Sequence, residues 1–424
     1  MKRVKVFLFV TMIMMLLVTA CGPKKPEVPV VNLRLGVDSG MSPPIIAVLQ
    51  EAIASWNADN PAIQVVVEVT PEYWTKIPTA FSAGTAPDII YDTITETTST
   101  FAELGMYLSL DDYIANSTSI KPADFVQGIW NTAVWNGHTW VIPYNWSNIG
   151  VVYNKDMFDA ANVAYPQAGW TWDDFLATAQ ALTKDTNDDG TPDQYGFYDD
   201  SWPYLGIFPF ILSNGGQILS TDKSTVIADS PEGMEAITFY IDLVRNYHVA
   251  PTAPELGENT NPFATGVVAM QLTRSWAPAT FKDIAPNLKF GVTSVPMKVK
   301  RINYFEGAGF GINSKSLYPD QTWQVLEFLA GETHQKKMAD LQIYFPVRNS
   351  VLNQVQWNDA LKAFLDEAQY GLDLQVVSQW ETLTSNFFFW LGTAVGGVDP
   401  IDIPTDVAGI IEKCNTELAK HPIK

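Results

Sequence analysis

The sequence predicts an α/β protein folded as two lobes. Three observations support this. Strands and helices alternate at the pace of βαβ units, the 404 residues from Cys21 to Lys424 exceed what a single core usually fills, and no apolar run is long enough to span a bilayer.

The elements follow in chain order. Lys2, Arg3 and Lys5 precede an uncharged apolar run over 6–18, which has the length of a signal-peptide core, so residues 1–20 read as an export signal. The run closes on Leu17-Val18-Thr19-Ala20-Cys21, small residues directly before a cysteine. This resembles the bacterial lipobox, in which the cysteine is acylated and becomes the first mature residue. Residues 21–30, rich in Pro and Lys, read as a tether holding a folded body off the membrane. The expected location is therefore outside the cell, lipid-anchored to the outer face of the cytoplasmic membrane, or periplasmic or outer-membrane-anchored in a cell with two membranes.

Beyond the tether, 31–37 alternates as a strand and 43–56 carries helical spacing. A second strand over 63–69 and a helix over 72–83 come next, then a short apolar strand at 87–91 entered through Gly84-Thr85-Ala86. Such units give a mostly parallel sheet, with ligands at the carboxyl ends of its strands. A second alternating region starts near Val141, with a strand at 149–153 and a helix at 173–183 announced by Thr171-Trp172-Asp173-Asp174. Helices over 203–212 and 230–247 and buried strands at 290–292 and 309–312 complete it.

Charge and cysteine content exclude several classes. The net charge is −20, and three of the 26 Lys+Arg lie in the leader, so the body is more acidic still. That field repels nucleic acid. Cys414 is the only cysteine besides Cys21, and it falls on the apolar stripe Val407, Ile410, Ile411, Cys414, Leu418, which predicts a core residue.

No local catalytic motif stands out. The four histidines are scattered, and no H-E-x-x-H, G-x-S-x-G or P-loop pattern occurs. Gly307-Ala308-Gly309-Phe310-Gly311 lacks dinucleotide spacing and is better explained by close backbone approach. Carboxylates such as Asp199 and Asp200 keep a surface glycoside hydrolase open as an alternative. Asp185, Asn187, Asp189 and Asp193, with Gly190 at the turn, match the opening of an EF-hand-like loop. Gly196 stands where the closing acid belongs, so a structural calcium site and a plain acidic turn both remain open. Fourteen Trp, sixteen Tyr and twenty-two Phe are many for so acidic a chain. Trp146, Trp202 and Trp276 lie in polar contexts, where ring faces suit the C–H face of a pyranose and nearby Asp, Asn and Glu suit its hydroxyls.

In order and spacing, several stretches resemble the family 1 extracellular solute-binding proteins of sugar ABC importers, the maltose-binding-protein-like group. They are Phe81-Ser82-Ala83-Gly84-Thr85-Ala86-Pro87-Asp88, Gly105-Met106-Tyr107-Leu108-Ser109-Leu110, Val141-Ile142-Pro143-Tyr144-Asn145 and Tyr153-Asn154-Lys155-Asp156-Met157-Phe158. Phe263-Ala264-Thr265-Gly266-Val267-Val268-Ala269-Met270 and Glu306-Gly307-Ala308-Gly309-Phe310-Gly311-Ile312 continue the match. The resemblance implies a type II periplasmic-binding-protein-like fold with a ligand cleft between lobes. Lobe 1 would comprise 31–147 and 307–345, and lobe 2 148–306 and 346–424, with crossings near Ser147, Glu306 and Phe345. It implies a monomeric, non-enzymatic protein that binds a mono- or oligosaccharide and delivers it to the permease of an ABC importer, with polyamine or peptide ligands as alternatives. The implied ligand residues are Asp38, Ser39, Asp92, Asn145, Trp146, Trp202, Tyr204, Trp276, Glu306 and Phe388. Ser147 stands where a sugar-binding acid would lie, which argues against a maltodextrin ligand.

Overall fold

The computed structural model describes residues 29–94, 96–199, 206–372, 377–396 and 401–420. The N-terminal units form as their patterning predicts. Strands β1 (Val31–Asp38), β2 (Ile63–Thr70) and β3 (Ile89–Asp92) pair in parallel, β1 in the middle. Leu33, Leu35 and Val37 of β1 are fully buried, and Ile45, Leu49, Ile53 and Trp56 of the helix Pro43–Asp59 are buried with them in one core. Tyr73 stitches the strand ends: its hydroxyl accepts from the Tyr91 amide at 2.9 Å and lies 3.3 Å from the Gly36 carbonyl.

A small hairpin, β4 (Val134–Trp135) and β5 (His138–Thr139), precedes β6 (Val141–Asn154), a single 14-residue strand buried at every position. Alternation cannot mark such a strand, because neither face meets water; this is why only 149–153 stood out in the sequence. The second half of β6 pairs antiparallel with β8 (Met270–Arg274) and β9 (Phe290–Thr293), and β7 (Tyr198–Asp199) lies parallel to β8. Strand β10 (Asn303–Ile312) then returns between β3 and β6, antiparallel to both. Short strands β11 (Phe345–Pro346) and β12 (Gly371–Leu372) join β6 and β10. The sheet order is β2-β1-β3-β10-β6-β8-β7, a mixed sheet with parallel pairs at both ends of this path and a further parallel pair where β12 joins β10.

Two apolar cores flank this path. One gathers the N-terminal helices with Trp323, Leu326 and Phe345; the other gathers Ile149, Trp172, Phe208, Ile237, Phe387 and Ile411. The helix Trp172–Leu182 opens with a full capping box between Thr171 and Asp174, as its start signal predicts. Cys414 is fully buried in the second core, where burial pushes its thiol up to about 11. The chain past Phe345 stays on the first core as far as Ala368, with Leu361 and Phe364 buried there, Arg348 paired with Asp124 and Ser350 donating to the same carboxylate.

Close approach of neighbouring backbone and side chains explains the glycines of β10. A Cβ on Gly307 would stand 2.8 Å from the Asn145 carbonyl, and one on Gly309 2.8 Å from that of Ile142. Both would fall inside normal van der Waals contact.

Candidate functional site

The carboxyl ends of β1 and β3 present one half of the site. Asp38 ends β1; its Oδ2 accepts from Trp74 Nε1 at 3.0 Å and its Oδ1 from the Gly40 amide at 3.1 Å, with Ser39 exposed beside it. Trp74 leans on Tyr91, ring centroids 5.8 Å apart. Burial raises the pKa of the Tyr91 hydroxyl, and the nearby Tyr344 and Asp38 raise it further.

The other half comes from the strands that run between the cores. Arg274 ends β8 opposite Ile149, and Glu306 sits on β10 opposite Ser147. The Arg274 Nε and Glu306 Oε2 form an ion pair that ties β8 to β10 across β6. Both side chains are nearly buried, 11% and 12% exposed, so solvent screens the pair little. The second carboxylate oxygen, Glu306 Oε1, is sealed from water and has no hydrogen-bond partner among the described residues. A buried acceptor left unpaired in this way costs about 1–3 kcal/mol unless a donor reaches it.

Trp276 follows at once, half-buried, capping the helix Ala277–Ile284, with the Arg274 guanidinium 5.9 Å from its ring centroid. Tyr344, just before β11, is within electrostatic reach of both charges: burial pushes its hydroxyl up to about 12, while Arg274 pulls it down and Glu306 pushes it up. Together these groups offer aromatic faces, fixed charges already balanced against each other, and one carboxylate oxygen awaiting a donor.

Of the residues named from the sequence, Asp38 lies beside Trp74 and Tyr91, while Glu306 and Trp276 both lie beside Arg274. Two others are corrected. Asp92 does not face an opening: it is fully buried, and its carboxylate accepts from Tyr107 at 2.5 Å, Thr97 at 2.9 Å and Thr98 at 3.0 Å. Burial outweighs those donors and raises its pKa to about 6. Trp146 is fully buried against Phe345, ring centroids 4.6 Å apart, and its indole donates to the Pro346 carbonyl at 2.8 Å, so it is packing and not a ligand wall.

Asn145 is buried in β6 between β10 and β11, and Phe388 is half-buried on the helix Trp380–Gly396. Trp202 and Tyr204 lie outside the described residues, as do Asp200 and Cys21. Asp199 is buried and accepts from the Tyr240 hydroxyl at 2.9 Å.

The acidic loop spends its oxygens on its own chain. Asp185 accepts from the Gly190 amide at 2.7 Å, Asn187 from that of Asp189 at 2.9 Å, Asp189 from that of Thr191 at 2.9 Å, and Asp193 from the Thr186 hydroxyl at 2.7 Å. Among the described residues no three His, Cys, Asp or Glu side chains come close enough to hold a metal ion.

Sequence reasoning passed over Trp74, Tyr91, Arg274 and Tyr344. Only Arg274 carried a local signal, two residues before Trp276.

The family model for bacterial extracellular solute-binding proteins matches residues 42–336. An ABC substrate-binding protein of Listeria monocytogenes, solved in complex with cycloalternan, superposes with a TM-score of 0.82 at 24% identity, covering 92% of this chain and 99% of that one. A maltotriose-binding protein of Pyrococcus abyssi is 23% identical over 90% of this chain and 81% of its own. An uncharacterised lipoprotein of Streptomyces antibioticus is 27% identical over 59% of this chain and 55% of its own.

Proposed function

We propose that this chain, which belongs to the bacterial extracellular solute-binding proteins, captures a neutral mono- or oligosaccharide between its two cores and hands it to the permease of an ABC importer. The observation that carries the proposal is the half-buried Trp276 beside the Arg274–Glu306 pair, with Glu306 Oε1 buried and unpaired. An indole face suits the apolar face of a pyranose, and a lone buried acceptor suits a hydroxyl. Because Arg274 already neutralises Glu306, a cationic ligand such as a polyamine would have to displace it, whereas a neutral polyol would not. The sugars in the names of the similar proteins, cycloalternan and maltotriose, support a carbohydrate ligand.

On this reading the protein binds without transforming. Closure follows from contacts that the ligand makes to both lobes only when they are shut. The protein acts as a monomer, lipid-anchored through Cys21, as its leader suggests and its likeness to a lipoprotein supports.

A thermal-shift screen of the purified chain against neutral sugars, amino sugars, polyamines and peptides tests the proposal, because a tight ligand raises the melting temperature by mass action. Stabilisation by a neutral sugar is expected. Stabilisation by spermidine or a peptide alone, or degradation of the stabilising sugar, would overturn it.

A further inference from the structure

On the side of the molecule formed by the helix Thr98–Glu103 and the β4–β5 hairpin, segments of the second core reach over to the first. Thr100 Oγ1, on that helix, donates to the Ser378 carbonyl at 2.7 Å, and Ser378 lies between Val377 and Trp380, both in the second core. Nearby, the Lys223 ammonium stands 5.6 Å from the ring centroid of Trp135 on β4. Lys223 is carried by the turn between Leu219 and Val226, which are also second-core residues.

The turn is built for this presentation. Asp222 gathers it by accepting from the Ser220 hydroxyl at 2.6 Å, the Ser224 hydroxyl at 2.7 Å and the Ser224 amide at 3.0 Å. Lys223 itself is held at φ +59°, a conformation few side-chain-bearing residues adopt.

Trp135 is only 6% exposed, yet it joins neither apolar core. Among the described residues its indole nitrogen is sealed from water without a partner, and so are Ser99 Oγ and Gln379 Oε1, which flank the Thr100–Ser378 bond. A seam that buries unpaired polar groups opens readily onto water, where each regains a partner.

We infer that Thr100, Trp135, Lys223 and Ser378 form a clasp between the lobes, which holds the shut state only while ligand adds its own contacts and thereby sets the rate of ligand release. The inference rests on the reading of the chain as a binding protein that closes. A cation over an indole and one hydrogen bond are small interactions, so the clasp favours closure without enforcing it.

The test uses the full mature chain with maltotriose as the first probe, chosen because a similar protein is named for it even though Ser147 weighs against a maltodextrin. Lys223→Ala and Thr100→Val, singly and together, are compared with the unmodified chain by stopped-flow tryptophan fluorescence. The double variant should release maltotriose roughly tenfold faster, with association little changed, as expected when weak closed-state contacts are lost. Equal release rates from a chain that binds the sugar would overturn the clasp. If the unmodified chain does not bind maltotriose, the choice of sugar has failed and the clasp is decided without ligand. Oxidation of a Thr100→Cys/Ser378→Cys variant should then lower the radius of gyration in X-ray scattering relative to the same protein reduced. Equal radii would overturn it.

Discussion

A tryptophan half-buried beside an ion pair serves either a ligand or its own lobe, and removing it separates the two. If Trp276 is the wall of the site, Trp276→Ala should weaken sugar binding by about 2 kcal/mol, roughly thirtyfold, while the folded chain survives. If it is packing, truncation should cost about 3–5 kcal/mol of stability and leave affinity nearly normal. Unfolding and binding measured on the same variant decide between them. Asp92 and His334 make a second residue-level prediction. Burial lowers His334 from 6.5 to about 4 in the fold, so the stability it contributes is full above pH 6.5 and is lost as pH falls towards 4. Asp92 runs the other way: its pKa rises from 3.8 to about 6, so its contribution is full below pH 3.8 and is lost as pH rises through 6. The two oppose each other across one window. Asp92→Asn removes the falling part, and its urea midpoint should climb from pH 4.5 to pH 7 more steeply than that of the unmodified chain; parallel profiles would remove Asp92 from this account. The same residue shows where sequence reading stops. An aspartate at a strand's carboxyl end can turn towards a ligand or back to its neighbours, and nothing in Ile89-Ile90-Tyr91-Asp92 says that Thr97, Thr98 and Tyr107 would claim it.

Among the elements, β10 shows most clearly how packing sets sequence. Its glycines let β3 and β6 approach from both sides, and Phe305 at its start lies against Gly128 and Gly371, where any added Cβ would overlap the ring. In Gly309→Ala the new methyl would stand 2.8 Å from the Ile142 carbonyl and 2.9 Å from Ile94. Overpacking of this kind typically costs about 1–3 kcal/mol. The expected result is a lower urea midpoint with an unchanged slope, and an unchanged midpoint would mean that β10 is not so confined. Local patterning made β1, β2 and the capping box at Thr171 legible, since each has one face in water or a side chain that closes on its own backbone, and β3, buried throughout, was legible as a short apolar run behind a glycine turn. It could not show β6 as one strand, because a segment buried on both faces carries no alternation. Nor could it bring Tyr344 to Arg274, Glu306 and Tyr91, because residues so far apart meet only through strand order.

At the scale of the whole molecule, two cores share strands β6 and β10, and the candidate site sits where those strands pass between them. The leader predicts where this body works. Cys21→Ala should abolish acylation and move the protein from the detergent phase to the aqueous phase, whereas lipid label retained by the variant would refute the lipobox reading. Order and spacing of short motifs were enough to suggest a two-lobed fold, because they recur along nearly the whole chain. They left the ligand open, because Trp276 and Glu306 fit many sugars and the 200–205 stretch lies outside the described residues. The account stands on one claim, that the chain binds a neutral sugar and leaves it intact. Isothermal titration calorimetry of the mature protein with neutral oligosaccharides, followed by chromatography of the recovered sugar, tests it most directly. The account predicts saturable one-to-one binding of at least one sugar, recovered unchanged. Recovery of shorter products, or binding confined to amines or peptides, would contradict it.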